Sequence, residues 1–194
     1  MVKKLSPKTS ALWDIPALDQ RPVIVAVAGP NGAGKSTFYE AHLKSAGLRF
    51  LNADVLAGEL GIGAYQAAEV TAKLRQEWVN QGESFVFETV FSDPVGDKLA
   101  FLKDAAQRGY SVVLCFIHIA NVDRSEERVA MRVSQGGHDV PTDKLTARFP
   151  RTMANLKQAI KDLPCVAIFD NDELAAPFRL TAIYQNGQRT FSTP

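Results

Sequence analysis

Short, uninterrupted apolar runs alternate along the chain with longer stretches in which apolar residues recur every three or four positions. The runs at 23–27, 84–88, 110–119 and 166–169 have the pattern of strands buried on both faces of a parallel sheet, with 49–52 a shorter strand. Helical segments fall between them. One spans 38–45 and one runs to Leu60 with Asn52 as its N-cap. A third covers 64–80, with Ala67, Val70, Leu74 and Trp78 as its buried stripe. Ser92-Asp93-Pro94 predicts a helix start whose face carries Val95, Leu99, Leu102 and Ala106 and which stops at Gly109. A charged helix over 121–135 ends at Gly136-Gly137, and Val140-Pro141-Thr142 opens another. Pro150 either kinks that helix or heads the next one, which carries Met153, Leu156 and Ile160. Residues 178–184 and 188–191, around Asn186-Gly187, read as a hairpin. The first 21 residues, interrupted by Pro7 and Pro16, read as a surface segment packing Leu12, Trp13 and Ile15 against the core.

This alternation predicts an α/β fold of three layers, with a mostly parallel five-stranded sheet and a C-terminal hairpin. Ligands in such sheets bind at the carboxyl ends of the strands. The first of those ends carries the strongest signal in the chain, Gly29-Pro30-Asn31-Gly32-Ala33-Gly34-Lys35-Ser36-Thr37. Strand, glycine-rich turn and helix are the setting in which G-x-x-x-x-G-K-[ST] is a phosphate-binding P-loop. Successive backbone N–H groups and the positive end of the new helix point at phosphate oxygens. Gly29 to Thr37 are therefore expected to bind ATP, with Lys35 on the β- and γ-phosphates and the Ser36 hydroxyl on Mg²⁺.

Composition narrows the setting. The chain has 194 residues, enough for one domain, and a formal net charge of +1, which gives no reason to expect nucleic acid or an anionic membrane surface. No apolar run approaches the roughly 20 residues that span a bilayer, and residues 1–20 lack the apolar core of a secretory signal. Cys115 and Cys165 sit in apolar strand-like runs without metal-binding spacing, so they read as buried thiols of a reducing cytoplasm.

Three further strand ends offer chemistry. Asp54 follows the second strand and is the candidate base for a proton leaving an attacking hydroxyl, or else a solvated carboxylate at a helix start. Glu88 and Thr89 follow the third; Glu88 suits the Mg²⁺ side, a substrate hydroxyl, or a backbone N–H. Asp170-Asn171 follows the fifth, where Asp170 suits a structural role or one beside the nucleotide base. Arg124, Arg128 and Arg132 recur every four residues and so share a helix face, with Arg148 and Arg151 beyond. The planar fork of arginine suits a developing phosphoryl charge, and Arg132 and Arg148 are the candidates, with Arg128 competing for the first position. A solvated face paired with Asp123, Glu126 and Glu127 is the alternative. His138, between glycine and aspartate, reads as a loop residue.

The P-loop, Asn52-Ala53-Asp54, Phe87-Glu88-Thr89-Val90, Arg132 with Gly136-Gly137-His138-Asp139-Val140-Pro141, Arg148-Phe149-Pro150-Arg151 and Phe169-Asp170-Asn171 together resemble the zeta-toxin family of small P-loop kinases, in family order, over 22–171. The resemblance implies one P-loop kinase domain, 1–194, with a core at 22–171 and a helical, arginine-bearing lid at about 121–152. It implies transfer of the γ-phosphate of ATP to a hydroxyl of a UDP-activated amino sugar, UDP-N-acetylglucosamine in the family. In that scheme Asp54 is the base, Lys35 the loop lysine, Arg132 and Arg148 the arginines around the phosphate, and Glu88 and Thr89 the sugar-nucleotide side. An antitoxin protein is the partner expected of a toxin, although a helical antitoxin-binding extension is not evident in the roughly twenty residues ahead of the first strand. Residues 89–92, Thr-Val-Phe-Ser, lack the glycine and arginine of the Gram-positive toxins. A kinase of another metabolite, nucleoside or antibiotic hydroxyl, and a nucleotide-dependent regulatory module, are the other two readings.

Overall fold

A computed structural model describes residues 15–137 and 139–193; Leu12, Trp13 and His138 lie outside the described residues. Thirteen main elements follow in the order β1 (Val23–Ala28), α1 (Lys35–Phe38), β2 (Arg49–Leu51), α2 (Ala53–Leu60), α3 (Ala64–Asn80), β3 (Phe85–Thr89), α4 (Asp97–Gln107), β4 (Ser111–His118), α5 (Val122–Ser134), α6 (Thr142–Asp162), β5 (Cys165–Asp170), β6 (Arg179–Gln185) and β7 (Gln188–Ser192). The strands form one sheet ordered β2-β3-β1-β4-β5-β6-β7. The first five pair in parallel. The hairpin is continuous with them: β6 pairs antiparallel with β5 and β7 with β6, so the sheet has seven strands, two more than the sequence pattern predicts. The backbone edge of β5 is thereby satisfied by the chain's own tail.

Strand β1 is central and buried throughout, and its alternation divides the core. Val23, Val25 and Val27 face Phe38, Leu43 and Ile117 together with Ile15 and Leu18 from the entering segment. Ile24, Ala26 and Ala28 face Val79 of α3, Leu99 and Leu102 of α4, and Leu156 and Ala159 of α6. Strand β4 divides in the same way, as its unbroken apolar sequence requires. Helix α1 continues as a π-helical turn, Tyr39–Leu43, and a 3₁₀ turn, Lys44–Ala46, and Tyr39 stacks on Phe50 of β2 at 3.6 Å. Helix α2 buries no residue of its own.

Two elements depart from the sequence reading. Helix α4 begins at Asp97 behind a left-handed Gly96, and Val95 is 78% exposed, although Ser92-Asp93-Pro94 reads as its start. Residues 90–93 are instead pinned by α6: Thr152 Oγ1 donates to the Val90 carbonyl at 3.0 Å, and Asn155 Nδ2 donates to those of Phe91 and Asp93 at 3.0 Å each. Pro150 does not start a helix; α6 runs through it. Leu145 before the proline and Thr152 and Leu156 after it are buried, so tertiary contacts on both sides hold the helix across the missing N–H. No helix among the described residues is long and apolar enough to cross a membrane.

The α4 layer rests on Leu102, which is fully buried against β3 and β4. Leu102→Ala should cost about 2–5 kcal/mol and lower the denaturant midpoint with an unchanged slope, measured by equilibrium unfolding.

Candidate functional site

The glycine-rich loop lies where β3 and β4 flank the end of β1, the crevice that parallel sheets offer to ligands. Gly29 is required by proximity: a Cβ there would stand 2.4 Å from the Ile117 carbonyl oxygen of β4. Gly34 holds φ at +89°, and a Cβ would stand 2.8 Å from Asn171 Nδ2. The backbone amides of Gly32 and Gly34 donate to no described residue, which leaves them available to a ligand.

The loop is clamped from outside. Asn171, 6% exposed, donates from Nδ2 to the Ala33 carbonyl at 2.8 Å, while its Oδ1 accepts from the Phe178 backbone N–H at 3.3 Å. Phe178 is held at φ +56°, in the left-handed region. From α5, the buried Ser125 donates to the Asn31 carbonyl at 2.7 Å. The sequence marks Asn171 only through its place at the end of β5, and Ser125 carries no local signal, because its partner is 94 residues away.

Inside the loop, Lys35 is 7% exposed and donates to the Pro30 carbonyl at 3.0 Å, with Glu88 Oε1 at 3.9 Å. Glu88 Oε2 accepts from Ser36 Oγ at 2.7 Å and from Asn52 Nδ2 at 2.8 Å. Burial lowers the Lys35 pKa below the usual lysine value, opposed by the negative charges of Glu88 and then Asp54 and reinforced by the positive charge of Arg132. The structure thus brings Lys35, Ser36, Glu88, Asp54 and Arg132 into one electrostatic neighbourhood.

Asp54 is exposed at the start of α2, where Asn52 Oδ1 accepts from its backbone N–H at 2.8 Å. Asn52 therefore caps α2 with one end of its amide and binds Glu88 with the other. The Thr89 hydroxyl oxygen accepts from the Phe91 N–H at 3.0 Å, supporting Phe91 at φ +61°. Arg148 is half-buried and one helical turn before Thr152; it forms no hydrogen bond or ion pair with another described residue. The remaining arginines divide. Arg128 donates to the Asp172 carbonyl at 3.0 Å, and Arg124 pairs with Glu127 at 3.0 Å and with Asp172 at 3.5 Å. Asp170 pairs with Arg179 at 3.2 Å and lies 3.7 Å from His118, the structural alternative for that carboxylate. Both cysteines are buried; burial pushes the Cys165 thiol up to about 11, and that of Cys115 up further.

Because the Glu88 charge holds the Lys35 pKa up, Glu88→Gln should lower it further. Lys35 is charged only below its pKa, so the alkaline loss of ATP-analogue binding should begin at lower pH in Glu88→Gln than in the parent, measured by calorimetry across a pH series.

Similar proteins bear on this arrangement. A search of curated proteins gives no match. In fold, the chain resembles a chain of the AvrRxo1-ORF1:-ORF2 complex crystallised with ATP, with a TM-score of 0.68 and 17% identity over 90% of this chain and 62% of that one. The chain thus spans less than two thirds of the length of that neighbour. It also resembles the PezAT toxin–antitoxin system of Streptococcus pneumoniae, with a TM-score of 0.66 and 14% identity over 89% and 75% of the two chains. A kinase fold from Chloroflexus aurantiacus follows at a TM-score of 0.51 and 21% identity, over 67% and 78%. The family model described as Zeta toxin matches residues 64–186, which takes in Glu88, Thr89, Arg132 and Arg148 and begins after the P-loop and Asp54. That match extends over more than half of the sequence, and the chain belongs to the zeta toxin family.

Proposed function

We propose that this chain is an ATP-dependent kinase that transfers the γ-phosphoryl group to a hydroxyl of a UDP-activated amino sugar such as UDP-N-acetylglucosamine. The observation that carries the reading is convergence on the loop lysine: Glu88 Oε1 lies 3.9 Å from Lys35 Nζ while Oε2 accepts from Ser36 and Asn52, and the charges of Asp54 and Arg132 act on Lys35 as well. Phosphoryl transfer asks little more of a protein than positioning and charge neutralisation, and these residues supply both.

ATP occupies the loop from Gly29 to Thr37, its β- and γ-phosphates taking the place of the Pro30 carbonyl on the Lys35 ammonium. The acceptor enters from the β2 and β3 ends, with Glu88 and Thr89 on the sugar-nucleotide side. As the acceptor oxygen bonds to the γ-phosphorus and the bond to the bridging oxygen of ADP breaks, Asp54 takes the hydroxyl proton. Arg132, and Arg148 from α6, balance the charge on the transferring group, with residues 121–152 closing over it as a lid. Arg128 is already engaged with the Asp172 carbonyl. Ser36, whose hydroxyl meets the Glu88 carboxylate at 2.7 Å, would hold a Mg²⁺ ion, which would supply neutralisation of phosphate charge. Membership in the zeta toxin family, and a neighbour that is a toxin–antitoxin system, support toxicity and an antitoxin partner.

Incubation with ATP, Mg²⁺ and UDP-N-acetylglucosamine should give a product heavier by one phosphoryl group, detected by mass spectrometry. Asp54→Ala should slow its formation by about 10²–10⁴ with little change in stability. Product formation unaffected by Asp54→Ala would remove the base from the scheme. ADP release dependent on a different acceptor would move the substrate to another metabolite.

A further inference from the structure

Phosphoryl transfer leaves one partly buried cation without a task. Arg75 lies on α3, the helix that joins the Asp54 side of the sheet to β3, whose end carries Glu88 and Thr89. Its guanidinium carbon sits 5.0 Å from the ring centroid of Phe87 in β3 and 5.4 Å from that of Phe101 in α4. Nε is buried and has no hydrogen-bond partner. The terminal amino groups bond to no described residue and are not sealed off as Nε is.

No described carboxylate lies within ion-pairing distance of Arg75. Asp93 acts on it only from further away; its Oδ2 accepts from the Lys98 backbone N–H at 3.4 Å, while Oδ1, 3.9 Å from Lys98 Nζ, is buried without a hydrogen-bond partner. Burial consequently outweighs Asp93 and lowers the Arg75 pKa from its ordinary value. Burying a cation and one of its donors without a partner is costly, and hydrocarbon alone would fill the space against two phenyl rings at less expense. The two rings give the guanidinium an apolar setting, and one of them belongs to the residue that precedes Glu88.

We infer that Arg75 recognises an oxyanion of the acceptor, binding two of its oxygens through the guanidinium fork; for a sugar nucleotide that oxyanion is the diphosphate. The inference rests on the acceptor entering from the β2 and β3 ends, as proposed above. Lysine in its place would keep the charge and lose the fork.

The test uses the full chain with its loop filled by Mg²⁺ and a non-hydrolysable ATP analogue, titrated with inorganic pyrophosphate and with UDP. Arg75→Gln should weaken both ligands about tenfold or more, and Arg75→Lys should weaken them less, with affinity for the ATP analogue unchanged. Equal binding of pyrophosphate and UDP by parent and variants, or no binding by the parent, overturns the inference. If Arg75→Gln does not fold, Arg75→Lys decides alone, because a residue of purely structural use would leave UDP binding intact. The sugar-nucleotide reading is separated by the transfer assay. Arg75-dependent pyrophosphate binding without phosphorylation of UDP-N-acetylglucosamine removes that substrate and keeps the anion site. Phosphorylation with an acceptor KM unmoved in Arg75→Gln does the reverse.

Discussion

The Glu88 carboxylate ties three strand ends together. One of its oxygens accepts from Ser36, on the helix that follows β1, and from Asn52, which follows β2, while Glu88 itself stands in β3. Hydrogen bonds to an ionised acceptor are the stronger kind, and this pair fixes the relative height of the donor loop and the α2 cap. Asn52 passes the constraint on: its other amide end holds the backbone N–H of Asp54, so the carboxylate of α2 is registered against the loop through a single side chain. The partly opposed charges around Lys35 follow from the same geometry.

The far side of the loop is built on different chemistry. Neutral side chains from α5 and from the end of β5 hold its carbonyls, and Asn171 links the loop to a left-handed Phe178. A non-glycine residue in that conformation carries local strain, which persists where its surroundings fix it. Donating to carbonyl oxygens leaves the amides of Gly32 and Gly34 available, so the clamp shapes the loop without competing for the groups that bind phosphate.

Much of this was legible before folding. The P-loop, the parallel strands and the helix boundary at Asn52 follow from local pattern, since burial on both faces demands continuous apolar sequence and a side-chain cap demands a short polar residue. Asp54 and Glu88 were visible because polar residues at or just past the end of an apolar strand mark the ligand edge of the sheet. What the sequence withheld depends on distant partners. Thr152 and Asn155 pull residues 90–93 out of the helix that Ser92-Asp93-Pro94 announces. Packing on both sides of Pro150 carries α6 through it, and the hairpin at Asn186-Gly187 is visible locally while its pairing with β5 is not. The arginine repeat on α5 was equally ambiguous, because periodicity places three guanidinium groups on one face and says nothing of Asp172, which takes two of them.

Helix α2 buries none of its residues, yet it carries Asp54. Elements with so little apolar contact open at small free-energy cost, whereas a loop held by buried hydrogen bonds opens only with the core. The two halves of the site therefore differ in preorganisation. Under the proposed kinase reading, ATP meets a surface that is already shaped, and the conformational entropy lost in settling α2 is charged to the acceptor, which arrives second. Such an asymmetry favours an ordered encounter, nucleotide before acceptor, and lets the acceptor half change its sequence and specificity without disturbing the donor half.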